Sequence, residues 1–216
     1  MDLAALPLFP LGLVLYPEEH LPLHIFEPRY LDLVEDCLSQ DIPFGIVLFP
    51  HGKMSEVGCT ATIAEVESAQ EAGEKDIIVT GMQRFRILEI SRERSYLTAE
   101  VEALLDDARP VRTQTRERVI AQHIRLLEIA GRLPRPTLYQ GREYLSFFIA
   151  HNTGLTIDQK QSVLEMNGEA ERLEFLVSHL ERFIPMVEDV ENMRKRVRSN
   201  GRFKDFPPKK DDSVSN

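Results

Sequence analysis

The chain has 216 residues, of which 43 % are hydrophobic and 28 % are charged, and its formal net charge is −9 at pH 7. This composition is sufficient for a hydrophobic core and is typical of a soluble protein with one large domain or two smaller ones. No apolar run reaches the length of a membrane-spanning helix, and acidic Asp2 stands where a signal peptide carries positive charge. The only cysteines, Cys37 and Cys59, lack the spacing of a zinc site. We therefore expect a cytoplasmic protein without a membrane segment, a disulfide framework, a metal or any other cofactor.

The first structured stretch, residues 6–34, combines many apolar residues with five prolines. A proline has no amide donor and restricts the preceding residue to extended geometry, so this stretch cannot form one helix. It predicts strands at Leu6–Phe9 and Leu21–Ile25, separated by bends, and then a helix over Arg29–Leu38. Pro28 suits the first turn of that helix, where a missing amide donor has no consequence.

Further strands follow this helix. They are predicted at Phe44–Phe49, at Val57–Val66, at Asp76–Thr80 with a continuation after Gly81, and at Tyr96–Ala103. Gly81 interrupts its strand pattern in the way that a β-bulge does. Short strands at this spacing predict an antiparallel barrel and not alternating strands and helices.

Helical spacing of apolar residues begins at Val111, after a polar, proline-terminated segment. The pattern predicts a first helix that ends near Gly131 and a second over Leu138–Ile149. A third helix should begin at Thr156, because Thr-Ile-Asp-Gln has the spacing of a capping box. The fourth and longest helix should continue on both sides of Pro185, with a kink there.

These elements together predict an α+β fold. An antiparallel β-barrel subdomain with a short helix is expected over residues 1–108, and a helical bundle that ends in a long kinked helix over residues 109–203. The polar residues 204–216 are expected to form a disordered tail.

The run Leu21–Tyr30, LPLHIFEPRY, preceded by LPLFP at Leu6–Pro10, resembles the opening of the Lon-type substrate-binding domain. That family occurs at the N-terminus of the ATP-dependent protease Lon, in cereblon-like proteins and as a free-standing bacterial protein. The resemblance implies a PUA-like β-barrel followed by a helical bundle, and a role in holding polypeptide. It also implies a free-standing bacterial member, because the ATPase and Ser–Lys protease regions would lie beyond the C-terminus of this chain.

The sequence shows no motif for catalysis. The segment Gly52–Met54, GKM, lacks the Ser or Thr and the first glycine of a P-loop. There is no G-x-S-x-G or H-E-x-x-H sequence, and Pro22 prevents His20 and His24 from sharing a helical face as metal ligands. We therefore predict that the chain is not an enzyme.

The candidate binding residues belong to the signature run and to one later strand. They are His24, Phe26, Glu27, Arg29, Tyr30, Arg84 and Phe85. One interpretation is a polar cluster beside an exposed aromatic surface that grips extended peptide. The alternative is architectural: Glu27 caps the helix or pairs with Arg29, His24 satisfies a buried carbonyl, and the aromatic rings fill the junction of barrel and helix.

Three functions remain open from the sequence. The first is a module that binds unfolded or extended polypeptide, either by adding a strand to an exposed sheet edge or in the cleft between barrel and bundle. The second is an adaptor for a folded partner, such as a protease or chaperone, or for its own copy, through the apolar stripe Met186–Val197. RNA binding is less favoured, because residues 1–110 carry 8 Lys and Arg against 20 Asp and Glu. We thus expect no nucleic-acid and no membrane partner, and the oligomeric state is open.

Overall fold

The computed structural model describes residues 3–68 and 73–201, and it confirms the predicted α+β fold with a long last helix. The strands are β1 (Leu3–Leu11), β2 (His20–Ile25), β3 (Phe44–Leu48), β4 (Val57–Ser68), β5 (Lys75–Ser91) and β6 (Leu97–Ala103). The α-helices are α1 (Pro28–Gln40), α2 (Thr113–Ile129), α3 (Leu145–Ala150), α4 (Ile157–Glu165) and α5 (Glu169–Gly201), and short 3₁₀ turns span Pro50–Gly52 and Pro136–Tyr139. The proposed tail at 204–216 lies outside the described residues.

The six strands form one sheet in the order β2-β5-β4-β3-β1-β6, and a further pairing between β5 and β6 closes it on itself. Strand β5 makes this closure because it is long: Lys75–Thr80 pairs with β2, and Phe85–Ser91 pairs with β6. One pair differs from the predicted antiparallel pattern, since β1 and β3 are parallel. A parallel pair needs a crossover connection, which β2 and α1 supply here.

Strand β1 contains two prolines and yet lies between two other strands. It pairs with β6 over Leu3–Leu8 and with β3 over Leu8–Leu11. Pro7 and Pro10 therefore each have a paired neighbour on one side only, and the side without a ladder needs no amide donor.

The predicted bulge in β5 is present, as a register shift between β4 and β5 that directly follows Gly81 in β5. A side chain cannot fit there, because a Cβ atom on Gly81 would lie 2.1 Å from the carbonyl oxygen of Tyr16. The N–H of Gly81 donates to the carbonyl of Glu19 at 2.8 Å, and its own carbonyl accepts from the N–H of Glu18 at 2.9 Å. The bulge thus attaches the loop before β2 to the middle of β5.

The helices follow the predicted order with one correction. The helix predicted over Leu138–Ile149 is wrong, because Gly141, with φ of +68°, separates the 3₁₀ turn from the short helix α3. The capping box at Thr156 is confirmed, with Gln159 as its second member. Helix α5 continues on both sides of Pro185 as predicted.

The core of the helices is continuous with one side of the sheet. Tyr16, Leu48 and Val57 of the strand region pack in the same buried cluster as Leu173 and Leu180 of α5. A second cluster lies under α1, around Leu33 and Val34. The helical bundle therefore covers one side of the sheet, and α1 covers a different part of the sheet.

Candidate functional site

An open cavity of about 550 Å³ lies where the ends of β1 and β2 meet the start of α1 and the turn before β6. We call it the aromatic groove, because five of its lining residues are aromatic: Phe9, Phe26, Tyr30, Phe49 and Tyr96. The rest of the apolar part of its wall is formed by Pro10, Leu11, Ile25, Met54 and Leu97. Its size is that of a typical ligand pocket.

The floor and the rim of the groove differ in exposure. Phe9 and Tyr30 are buried and their ring centroids lie 4.2 Å apart, which gives a rigid aromatic floor. Phe26 is 61 % exposed and Phe49 is 42 % exposed, so two large apolar rings stand at the rim in contact with water.

The start of α1 holds the predicted charged residues at this rim. Pro28 occupies the first helical turn, and the N-cap residue Glu27 makes no side-chain cap hydrogen bond. Its carboxylate instead accepts from Arg29 Nη2 at 2.7 Å and Nε at 3.0 Å. The guanidinium of Arg29 lies 4.5 Å from the ring centroid of Tyr30, within cation–π distance. Burial raises the pKa of Tyr30, the charge of Arg29 lowers it, and that of Glu27 raises it, so its hydroxyl is neutral at physiological pH.

His24 lies one residue before the end of β2, and its ring centroid is 6.0 Å from that of Phe26. Its Nδ1 lies 2.7 Å from Asp76 Oδ1, and its Nε2 lies 3.3 Å from Glu74 Oε2. One part of the predicted architectural alternative is present, because Glu27 pairs with Arg29, and His24 contacts the carboxylates of Asp76 and Glu74. Both pairs leave the aromatic rings at the rim open.

The opposite wall was not predicted from the sequence. Tyr96 donates from its hydroxyl to Asp36 Oδ2 at 2.5 Å, and Arg94 Nη1 contacts the same hydroxyl at 2.8 Å and Asp36 Oδ2 at 3.1 Å. Burial, followed by the hydrogen bond to Asp36, raises the pKa of Tyr96. The only available signal was that Arg92, Arg94 and Tyr96 flank a strand end, which does not indicate what they face.

Arg84 and Phe85, which we predicted beside the signature residues, are each 2 % exposed and do not line the groove. Phe85 packs inside the sheet with Leu6 and Leu8. Arg84 points to the helices and donates to the carbonyl of Leu164 at 2.7 Å. We correct the expectation for both residues, because burial places them in the packing of the fold.

Within the described residues, no group of three or more His, Cys, Asp or Glu side chains could hold a metal ion. His20 Nδ1 contacts Thr80 Oγ1 at 2.9 Å, and His24 contacts carboxylates of β5 and its preceding turn, so each imidazole has its own partners. In the same part of the chain, no helix has both the length and the apolar composition for crossing a membrane.

The groove lies in a part of the chain that matches known proteins. The sequence model of the ATP-dependent protease La (LON) substrate-binding domain matches residues 5–182. Lon protease of Escherichia coli (strain K12) is 26 % identical over 210 residues, which cover 89 % of this chain and 26 % of that protein. Lon protease of Anaeromyxobacter dehalogenans is 26 % identical over 197 residues, which cover 83 % of this chain and 23 % of that protein. The chain thus spans about a quarter of the length of these curated relatives.

Two solved structures have the same fold. A Lon N-terminal domain protein from Xanthomonas campestris is 27 % identical, with a TM-score of 0.66, over 82 % of this chain and 98 % of that one. The N-terminal domain of Mycobacterium avium complex Lon protease, 16 % identical, has a TM-score of 0.60 over the same shares. The signature run, the fold and the match over residues 5–182 agree, and the chain belongs to the ATP-dependent protease La (LON) substrate-binding domain family.

Proposed function

We propose that this chain binds extended or unfolded polypeptide segments in the aromatic groove. The observation that carries the proposal is the pair of exposed rings, Phe26 and Phe49, above the buried floor of Phe9 and Tyr30. Five of the seven residues predicted from the sequence line this groove. The family description, substrate-binding domain, supports a recognition role of this kind.

The apolar part of the groove supplies the affinity. Burying a large apolar side chain contributes about 1.5–3 kcal/mol, so one or two residues of a peptide that enter the groove give a weak complex. Exposed Arg92 and Arg94 at the rim offer donors for backbone carbonyls of the peptide, whatever its sequence. The combination favours apolar segments without a strict sequence.

Binding by strand addition is less favoured by the geometry. The sheet closes through β5 and β6, and β2 stands at one end of the strand order. Proline in an edge strand takes a position whose missing N–H faces away from the ladder, so Pro22 removes a donor from the outer side of β2. A groove that captures side chains needs no such donor.

We also propose that binding occurs without bond-making chemistry. Cys37 and Cys59, the two thiols of the chain, are both buried. Burial raises the pKa of Cys37 to about 12 and raises that of Cys59 as well. Both sulfurs therefore remain protonated at neutral pH and are poor nucleophiles.

The test is fluorescence anisotropy of a labelled, unstructured peptide that contains several Phe and Leu residues. Phe26→Ala and Phe49→Ala should each weaken binding about tenfold, because each removes an exposed ring that the peptide would cover. Leu133→Ala is the matched control, since Leu133 is 94 % exposed and does not line the groove. Circular dichroism of each variant checks that the fold is unchanged.

The proposal fails if the parent chain shows no binding at high micromolar concentration. It also fails if both groove variants bind the peptide as tightly as the parent and the Leu133→Ala control. In the second case polypeptide binding stands, but the aromatic groove is not its site.

A further inference from the structure

Helix α5 carries four exposed apolar side chains after Pro185. Met186 is 64 % exposed, Val190 49 %, Met193 64 % and Val197 72 %. Their spacing of four, three and four residues places them on one side of a helix, as in the seam of a coiled coil. We call these four residues the α5 stripe.

The helical bundle of the same chain uses a different side of α5. Leu180 and Ile184 are buried in the helical core, and Val187 packs against it. Arg125 of α2 donates to Glu188 Oε1 at 2.8 Å, and Glu188 lies about 200° around the helix from Met186. The bundle therefore holds α5 by other residues, and the α5 stripe faces solvent.

Charge along this part of α5 is divided into two blocks. Glu188, Asp189 and Glu191 come first, and Arg194, Lys195 and Arg196 follow. This division of charge distinguishes a parallel from an antiparallel pairing of two α5 helices. In a parallel pair of α5 helices in register, acidic residues lie level with acidic residues and basic residues with basic ones, which is unfavourable.

An antiparallel pair gives a different result. When Met186 of one copy is level with Val197 of the other, Val190 is level with Met193. Each of the four residues in one α5 stripe then lies opposite a residue of the other α5 stripe. In the same alignment the acidic block of each copy lies beside the basic block of the other. Asp189 and Arg196 are on the same flank of the stripe, where flanking charges of two antiparallel helices meet.

We propose that the α5 stripe is a self-association surface, which pairs with the α5 stripe of a second copy of this chain in antiparallel orientation. This arrangement also places the two bundles at opposite ends of the paired helices, away from each other. Four apolar side chains from each copy form an interface smaller than the ~1,200 Å² of stable complexes. The dimer is therefore weak and depends on protein concentration.

Disulfide trapping of the full chain tests the orientation. Val190→Cys and Met193→Cys variants are prepared separately and oxidised alone or mixed. The antiparallel pairing predicts that the mixture gives a crosslinked heterodimer in higher yield than either variant alone, because Val190 faces Met193 of the other copy. Cys37 and Cys59 are 2 % and 0 % exposed, so the native thiols contribute little background.

Sedimentation equilibrium of the full chain tests the surface itself. Met193→Glu should weaken the dimer at least tenfold, whereas Leu133→Glu, which changes an exposed leucine outside α5, should leave it unchanged. Charge makes a second prediction: association should weaken as salt rises, because facing blocks of opposite charge are screened. A parent chain that stays monomeric up to millimolar concentration, or equal crosslinking of each variant with itself and no heterodimer, overturns the proposal.

Discussion

Arg84 of β5 and Asp106, which follows β6, form an ion pair of 2.5 Å at the junction of the sheet and the helices. Asp106 also pairs with Arg172 of α5, and Arg172 contacts Glu169 at 3.0 Å. Burial lowers the pKa of Arg84, and the nearby charge of Arg172 adds to that effect while Asp106 opposes it. Two buried guanidinium groups thus depend on two carboxylates.

Replacing the shared carboxylate should destabilise the protein strongly. Asp106→Ala leaves Arg84 and Arg172 buried with only Glu169 as a counter-charge, and breaking such a buried pair typically costs about 3–5 kcal/mol. Urea denaturation measures this loss in the free energy of unfolding. Asp107→Ala is the control, because the Asp107 carboxylate is part-exposed and accepts from the side chain and the backbone N–H of Arg109, outside the buried network. Equal stability of both variants would show that the buried network is not required.

Stability should also fall between pH 7 and pH 5 because of His123. Its side chain is buried, Nδ1 contacts the hydroxyl of Tyr139 at 3.0 Å, and desolvation lowers its pKa to about 4. The unfolded chain takes up a proton near the ordinary pKa of 6.5 and the folded chain does not, so this contribution is complete above pH 6.5 and is lost as the pH falls toward 4.

The expected loss from this histidine between pH 7 and pH 5 is about 2 kcal/mol. His123→Asn keeps an acceptor for Tyr139 but has no group that titrates in this range. Denaturant titrations at both pH values should therefore show a smaller pH dependence for the variant than for the parent. Identical pH dependence of the two proteins would contradict the prediction.

The bulge in β5 should tolerate no side chain. In Gly81→Ala the new methyl group meets the carbonyl oxygen of Tyr16 at 2.1 Å, so the loop before β2 must move. We expect a loss of about 3 kcal/mol in the free energy of unfolding, as for an overpacked site. Gly12→Ala is a matched control, because nothing lies within 4 Å of its added Cβ atom. Thermal unfolding should separate the two variants clearly.

Removing the capping box at the first turn of α4 should cause a smaller loss in the free energy of unfolding. Thr156 accepts from the N–H of Gln159 at 3.3 Å, and Gln159 accepts from the N–H of Thr156 at 2.9 Å. Thr156→Ala should cost about 1 kcal/mol, and Thr156→Ser, which keeps the hydroxyl, should cost much less. A similar loss for both variants would indicate that the methyl group, and not the cap, is what matters.

Local signals in the sequence were sufficient for much of the fold. Gly81, Thr156 and Pro28 each impose a conformation through their own chemistry, so a bulge, a helix start and a first turn were predicted at the right places. The helix predicted over Leu138–Ile149 failed because the apolar spacing continues across Gly141, whose positive φ ends helical geometry. The spacing of apolar residues carries no information about the sign of φ at Gly141.

The candidate groove was predictable only where it is contiguous in sequence. His24 to Tyr30 come from one run, and they line one side of it. Phe49 and Tyr96 join them because β3 and β6 both pair with β1, and those pairings depend on the register of strands far apart in the chain. Arg84 was misplaced for a similar reason: its partners, the carbonyls of Leu164 and Met166, lie about 80 residues away. No pattern around Arg84 indicates that it is buried.

The two prolines of β1 have a consequence for the newly made chain. Leu6 pairs with Ala99, so this apolar N-terminal strand leaves the ribosome long before its antiparallel partner has been synthesised. During that interval it is a candidate for pairing with strands of other molecules. Pro7 and Pro10 each lack the backbone N–H that a strand of another molecule would need as a hydrogen-bond donor. The nascent segment therefore pairs poorly with other chains before β6 has been synthesised.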